Sequence, residues 1–207
     1  MSQLAYAQNH ISIEEYLEGE VVSKIKHEYI DGEVFAMAGA STKHNSISIN
    51  VSSNIYSGLK NSNSTCRVFS SDMKVKVSLS STSFFYPDVM VVCDIDDDED
   101  DYYQNSPQLI IEILSKTTRK NDFTTKMMSY FNILSLEEYV LIEQDLCQVT
   151  VYKKSENWKS TAYFLGDTIN FESIETLISV EDIYYQIKND DMTNFLIEKE
   201  QQKEEQP

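Results

Sequence analysis

The 207-residue sequence predicts an α/β (α+β) domain, a central mixed sheet flanked by helices. Three observations carry this. Ile47, Val51, Ile55 and Leu59 recur every four residues and give a helix one apolar face. Residues 84–92 and 108–114 are short apolar runs of strand length. A second helical stretch, 122–134, separates the latter run from a strand-like pair at 139–143 and 148–152.

Taken in order, Ser12-Ile13-Glu14-Glu15 is a capping-box pattern that opens a short helix through Tyr16 and Leu17. Residues 26–30 and 33–37 flank Asp31-Gly32, a hairpin signal because both turn positions want positive φ. The small residues 38–42 lead into the long helix, 43–59, and 61–65 form a turn. Residues 66–69 and 73–77 read as strands, and 78–83 as a loop. The strand 84–92 has Pro87 at its entry, where a missing N–H is tolerated. An acidic connection precedes strand 108–114, and the polar loop 115–121 precedes the helix 122–134. A further strand is expected at 158–164 and a closing helix at 180–188. The organisation is an N-terminal extension (1–11), one domain (12–188) and an acidic tail (189–207), polar and either frayed or helical.

Composition narrows the function. Hydrophobic residues make up 41%, enough for a packed core, and no apolar run approaches the roughly 20 residues of a membrane helix. The first residues lack a secretion signal, so a cytoplasmic protein is expected. Cys66, Cys93 and Cys147 are far apart and odd in number, which favours reduced thiols over a disulfide framework. With only His10, His27 and His44 and no Cys-x-x-Cys, a structural zinc site is not expected. The net charge of −17 argues against a generic nucleic-acid binder. Much of that charge is local, with seven acids in 94–101 and a net −4 in the tail. Lys116, Arg119, Lys120 and Lys126 outnumber Asp122 just after Glu112, a basic flank on an acidic protein. Asp94, Asp96 and Asp98 have calcium-loop spacing, but Glu99 stands where glycine belongs and Asn105 where glutamate belongs, so a solvated acidic loop is expected instead.

The chemistry concentrates between Pro87 and Lys126. Asp88 and Glu112 sit inside apolar runs, where a charge is costly unless paired or holding a metal. On neighbouring strands they would form a hard, oxygen-only site for Mg²⁺ or Mn²⁺, with water and substrate phosphate completing the shell. A structural ion pair, with Lys126 as the base, is the competing reading. Lys126 lies about 60° from the centre of its helix's apolar face, close enough to reach a pocket or to pair with Asp122 on the surface. Glu28 is a further acidic group that would stand over the metal, Glu33 a solvated carboxylate, and Asp72 no closer than the surroundings of the site. His44 opens the long helix and would contact substrate, or serve only as a cap.

Pro87-Asp88 followed by Glu112 in an apolar strand resembles the PD-(D/E)XK nuclease signature of the restriction-endonuclease-like fold. The chain is more specifically similar to the Uma2 (DUF820) family of restriction-endonuclease-like proteins. His27-Glu28, Asp31-Gly32-Glu33, His44, Pro87-Asp88, Glu112 through Ser115, Thr117-Thr118-Arg119, Asp122, Lys126 with Tyr130, and Glu138-Tyr139 carry the resemblance in order over about 12–187. Leu114 stands where the parent signature has lysine, a gap Uma2-like proteins share, and Lys116 stands where the family usually has proline. The resemblance implies a restriction-endonuclease-like core and a Mg²⁺-dependent (or Mn²⁺-dependent) endonuclease acting on DNA. Asp88 and Glu112 would hold the metal. Lys126 would take the role of the missing lysine, Glu28 would complete the site, and His44, Arg119 and Lys120 would touch substrate. It also implies a homodimer. A catalytically silent module that binds a protein or nucleic-acid partner is the alternative, and RNA or nucleotide hydrolysis is a third reading.

Overall fold

The computed structural model describes residues 10–78, 82–94 and 100–204. The elements in order are α1 (Ile13–Val22), β1 (His27–Ile30), β2 (Glu33–Ala36), α2 (Thr42–Asn61), β3 (Arg67–Ser70), β4 (Lys74–Ser78), β5 (Thr82–Phe85) and β6 (Val89–Val92). These are followed by β7 (Tyr103–Gln104), β8 (Pro107–Leu114), α3 (Arg119–Asn121), a π-helical turn (Asp122–Lys126) and α4 (Met127–Tyr130). The chain closes with β9 (Glu138–Glu143), β10 (Gln148–Lys153), β11 (Lys159–Phe164), β12 (Thr168–Phe171), β13 (Thr176–Ser179), α5 (Val180–Ile183) and α6 (Asp190–Glu204). No helix among the described residues is long and apolar enough to cross a membrane.

The strands form a five-stranded sheet in the order β2-β1-β5-β4-β7, a six-stranded sheet in the order β11-β10-β9-β8-β6-β3, and the β12-β13 pair. Both larger sheets are mixed, because β4-β7 and β8-β9 pair in parallel while the other pairs run antiparallel. β8 sits at the centre of the larger sheet and alternates between two cores. Leu109, Ile111 and Ile113 join the apolar face of α2 (Ile47, Val51, Ile55, Leu59). Ile110 and Leu114 join Tyr130, Tyr139, Phe85 and Met90 on the other side. That alternation, period two along a buried strand, aims Glu112 at the second core.

Several sequence signals fold as expected. Ser12 and Glu15 close a reciprocal capping box on α1. Asp31 (φ 47°) and Gly32 (φ 88°) take the positive dihedrals of the β1-β2 turn.

Four expectations are corrected. Residues 84–92 are not one strand. β5 and β6 lie in different sheets, and the chain crosses between them at Tyr86-Pro87-Asp88, where Pro87 has no N–H to continue a ladder. The expected helix 122–134 begins earlier, at Arg119, and ends at Tyr130, with a π turn inside it. The β12-β13 hairpin escaped notice, and the expected helix 180–188 is a single turn. The thiols are not all reduced. Arg67 pairs with Val92 across β3 and β6, so the next pair outward is Cys66 opposite Cys93, and these two form a disulfide. Sequence distance concealed what strand register supplies. Of the acidic stretch 94–101, residues 95–99 lie outside the described residues, as does most of the N-terminal extension.

The disulfide closes a loop of 27 residues. Replacing both cysteines by alanine is expected to cost about 3–4 kcal/mol by loop-closure entropy, read from urea unfolding. A difference under about 1 kcal/mol would mean the loop is already ordered in the unfolded chain.

Candidate active site

The register of β6 and β8 builds the first half of the site. Met90 opposes Ile110 and Val89 opposes Ile111, so one further step sets Asp88 opposite Glu112. The two acids that seemed distant in sequence thus meet at the end of the sheet. Asp88 is fixed through one oxygen, since its Oδ2 accepts the Ile113 backbone N–H at 2.7 Å and lies 3.2 Å from His44 Nε2. His44 is placed by the start of α2, where its own N–H donates to the Ser41 cap at 3.1 Å.

The second half comes from the helical stretch after β8. The π turn widens the helix so that Asp122 and Lys126, four residues apart, both turn inward. They are 1% and 4% exposed. A π turn inside a helix is common at functional sites. The Lys126 ammonium lies 2.8 Å from Glu28 Oε1, 3.1 Å from Glu112 Oε1 and 3.7 Å from Asp122 Oδ1. Tyr130, four residues on, donates its hydroxyl to Glu112 Oε1 at 2.9 Å. The Tyr139 hydroxyl holds the Asp122 carbonyl at 3.0 Å. Glu28 reaches the cluster from β1, so the ammonium ties the two large sheets together.

Charge is out of balance here. Three carboxylates (Glu28, Glu112, Asp122) lie within ion-pair distance of one ammonium, which leaves two uncompensated charges if all are ionised, and Asp88 pairs with His44. Burial pushes the Glu112 carboxyl well above its usual range; the Lys126 charge opposes this and the neighbouring acids add to it. Burial likewise raises Asp122, against the pull of Lys126. Burial alone would lower Lys126, but Glu112, Glu28 and Asp122 outweigh it and hold the ammonium charged. Burial would also lower His44, and the hydrogen bond and charge of Asp88 reverse the sign. The Tyr130 phenol is pushed up by burial and stays a neutral donor.

The cluster forms the floor of a cleft of about 880 Å³. Asp88, Glu112, Asp122, Lys126 and His44 line it, and Lys24, Lys26, Lys43 and Lys116 stand around it. Among the described residues no three His, Cys, Asp or Glu side chains form a ready-made metal cage. Magnesium takes one or two protein carboxylates and keeps several waters. The donor set fits such an ion: two opposed carboxylates, Asp88 and Glu112, in a surplus of negative charge that a divalent cation would relieve.

The structure therefore brings together Glu28, His44, Asp88, Glu112 and Lys126. Arg119 and Lys120 lie outside the cleft lining. Arg119 is paired with Glu143 at 2.5 Å and lies over the Phe123 ring. Asp122 and Tyr130 are the members that sequence reasoning left unassigned, and their spacing of four residues on either side of Lys126 was the available signal. Lys26 pairs with Asp72 at 2.5 Å, beside the cleft.

A family model described as "Putative restriction endonuclease" matches residues 13–180. The chain belongs to the Uma2 family. Two relatives are uncharacterized proteins of Synechocystis sp. One, slr1290, is 31% identical over 176 residues, 84% of this chain and 91% of that protein. The other, sll1609, is 35% identical over 166 residues, covering 76% and 89%. The fold is similar to that of a crystal structure described as a "putative nuclease belonging to DUF820" from Anabaena variabilis. The TM-score is 0.70 at 20% identity, over 86% of this chain and 99% of that one. The Uma2 membership and the fold agree with what the resemblance implied.

Proposed function

We propose that this Uma2-family chain is a Mg²⁺- or Mn²⁺-dependent endonuclease that hydrolyses phosphodiester bonds in DNA. The observation that carries this is the opposition of Asp88 and Glu112 on a cleft floor with Lys126 buried beside them. A divalent cation held by Asp88 and Glu112 supplies Lewis acidity and a water of lowered pKa. His44 and the Ile113 N–H hold Asp88 by Oδ2, so Oδ1 is the oxygen that would take a cation. The Lys126 ammonium faces the charge that develops on the phosphoryl oxygens. Glu28 holds that ammonium from the opposite sheet. Lys24, Lys43 and Lys116 take the flanking phosphates, a role that Arg119 and Lys120 are less well placed to fill. A homodimer would present two such clefts to two strands, and DNA would be met in the cytoplasm. There the Cys66–Cys93 bond would meet a reducing thiol pool, and mass measurement of protein alkylated in a fresh lysate shows whether it survives.

The net charge of −17 favours a second reading, a silent module that binds a partner instead of cutting DNA. Labelled DNA and RNA oligonucleotides of one sequence, incubated with Mg²⁺, Mn²⁺ or a chelator, separate the two. Metal-dependent cutting of DNA is expected. Cutting of RNA alone would change the substrate class, and no cutting by metal-loaded protein would leave the binding module.

A further inference from the structure

We propose that Asp122 is a catalytic residue whose Oδ1 holds the hydrolytic water beside the Lys126 ammonium. This rests on the hydrolase reading above and adds a residue to it. Asp122 lines the cleft beside Glu112 and Asp88, and it is 1% exposed. Its Oδ1 is buried without a hydrogen-bond partner. Such an oxygen costs about 1–3 kcal/mol or more when left unsatisfied. The Thr118 side chain hydrogen-bonds the carboxyl, and Lys126 Nζ lies 3.7 Å from Oδ1, beyond hydrogen-bond reach, so a water that touches both stands beside the pair. The Tyr139 hydroxyl fixes the backbone at Asp122, and the π turn fixes its direction, so the oxygen does not swing away to solvent. Tyr130 and Lys126 already occupy Glu112 Oε1, and the Ile113 N–H and His44 occupy Asp88 Oδ2. Asp122 Oδ1 is thus a carboxylate oxygen on the cleft floor that still has acceptor capacity to offer.

The step balances simply. The water oxygen forms a bond to phosphorus while the bond from phosphorus to the leaving sugar oxygen breaks. The water's proton passes to Asp122 Oδ1, and the leaving oxygen takes a proton from solvent. No oxidant or further reactant is involved.

The test compares wild type, Asp122→Asn and Asp122→Ala in three measurements. Calorimetry with Mn²⁺ is expected to give affinities within about threefold of wild type, because Asp122 is not the cation's ligand. Single-turnover cleavage of a labelled DNA duplex is expected to fall about 10²- to 10⁴-fold in rate, the range for a positioned acid–base group, with half-saturating DNA concentration unchanged. A crystal of the wild-type protein with Ca²⁺ is expected to show an ordered water within hydrogen-bond distance of Asp122 Oδ1. Cleavage near the wild-type rate in Asp122→Asn would overturn the proposal, as would loss of Mn²⁺ binding beyond tenfold or a dry Oδ1 in the crystal. If wild type binds Mn²⁺ and cuts nothing, the hydrolase reading fails first and the catalytic role of Asp122 fails with it.

Discussion

Replacing Lys126 by methionine is expected to cost about 3–5 kcal/mol of stability at pH 8, the penalty for stripping one partner from a buried charge pair. The ammonium is the cation that Glu28, Glu112 and Asp122 share, and no other basic group is within ion-pair distance of Glu112 among the described residues. The loss should shrink at pH 5. Glu112 and Asp122 have folded-state pKa values raised above their ordinary 4.5 and 3.8, chiefly by burial. For an acid of that kind the folded state binds protons more readily than the unfolded state. The stability it contributes is fully present below the ordinary value and is lost as pH rises through the raised one. Removing Lys126 takes away the charge that opposes the rise, so both carboxyls protonate more readily and their repulsion fades on acidification. Adding Mn²⁺ should restore the variant by mass action, about 2.7 kcal/mol at a hundredfold excess over Kd. Urea unfolding at both pH values, with and without Mn²⁺, checks all three statements. An unchanged midpoint at pH 8 would mean the carboxylates are already neutral or solvated.

The second large effect is on catalysis. Glu112→Gln and Lys126→Ala are each expected to lower plasmid cleavage at least about 10³-fold, the scale on which groups stabilising developing charge act. Glu112→Gln keeps the shape and the Tyr130 hydrogen bond while removing one negative charge, so its melting temperature should hold or rise. Lys126→Ala should cleave no better at raised Mn²⁺, because the cation restores stability without restoring the ammonium. Equal cleavage by all three proteins would point to a contaminant and away from this cleft.

The same carboxyls set the pH dependence of cation binding. Protons compete with the metal at Glu112, so Mn²⁺ affinity should weaken as pH falls from neutral toward about 4.5, where a carboxylate ordinarily protonates. Calorimetry across that range is the check.

The legibility of this fold from sequence follows physical lines. Local signals survived. The Ser12 capping box, the Asp31-Gly32 turn and the four-residue repeat of α2 depend on neighbours in the chain and folded as written. Glu112 was legible because a carboxylate inside Leu109–Leu114 has no cheap local explanation. Long-range register was not legible. Cys66 and Cys93 become partners only through the pairing of β3 with β6, and the split of residues 84–92 depends on which sheet each half joins. Asp122 was hidden by the same rule that suggested a surface pair with Lys126. An ordinary helix permits that pair in solvent, whereas the π turn carries both residues inside. Arg119 and Lys120 were read from their sequence proximity to Glu112, and the cleft lining does not include them.

The most direct measurement is calorimetric titration of Mn²⁺ into the wild-type protein and Asp88→Asn at pH 7.5. If Asp88 and Glu112 form a divalent-cation site, wild type binds one ion per chain and Asp88→Asn loses at least about tenfold in affinity, with its melting temperature little changed. Absence of binding to wild type, or equal binding to both proteins, would contradict it and leave the cluster as a structural ion-pair network around Lys126.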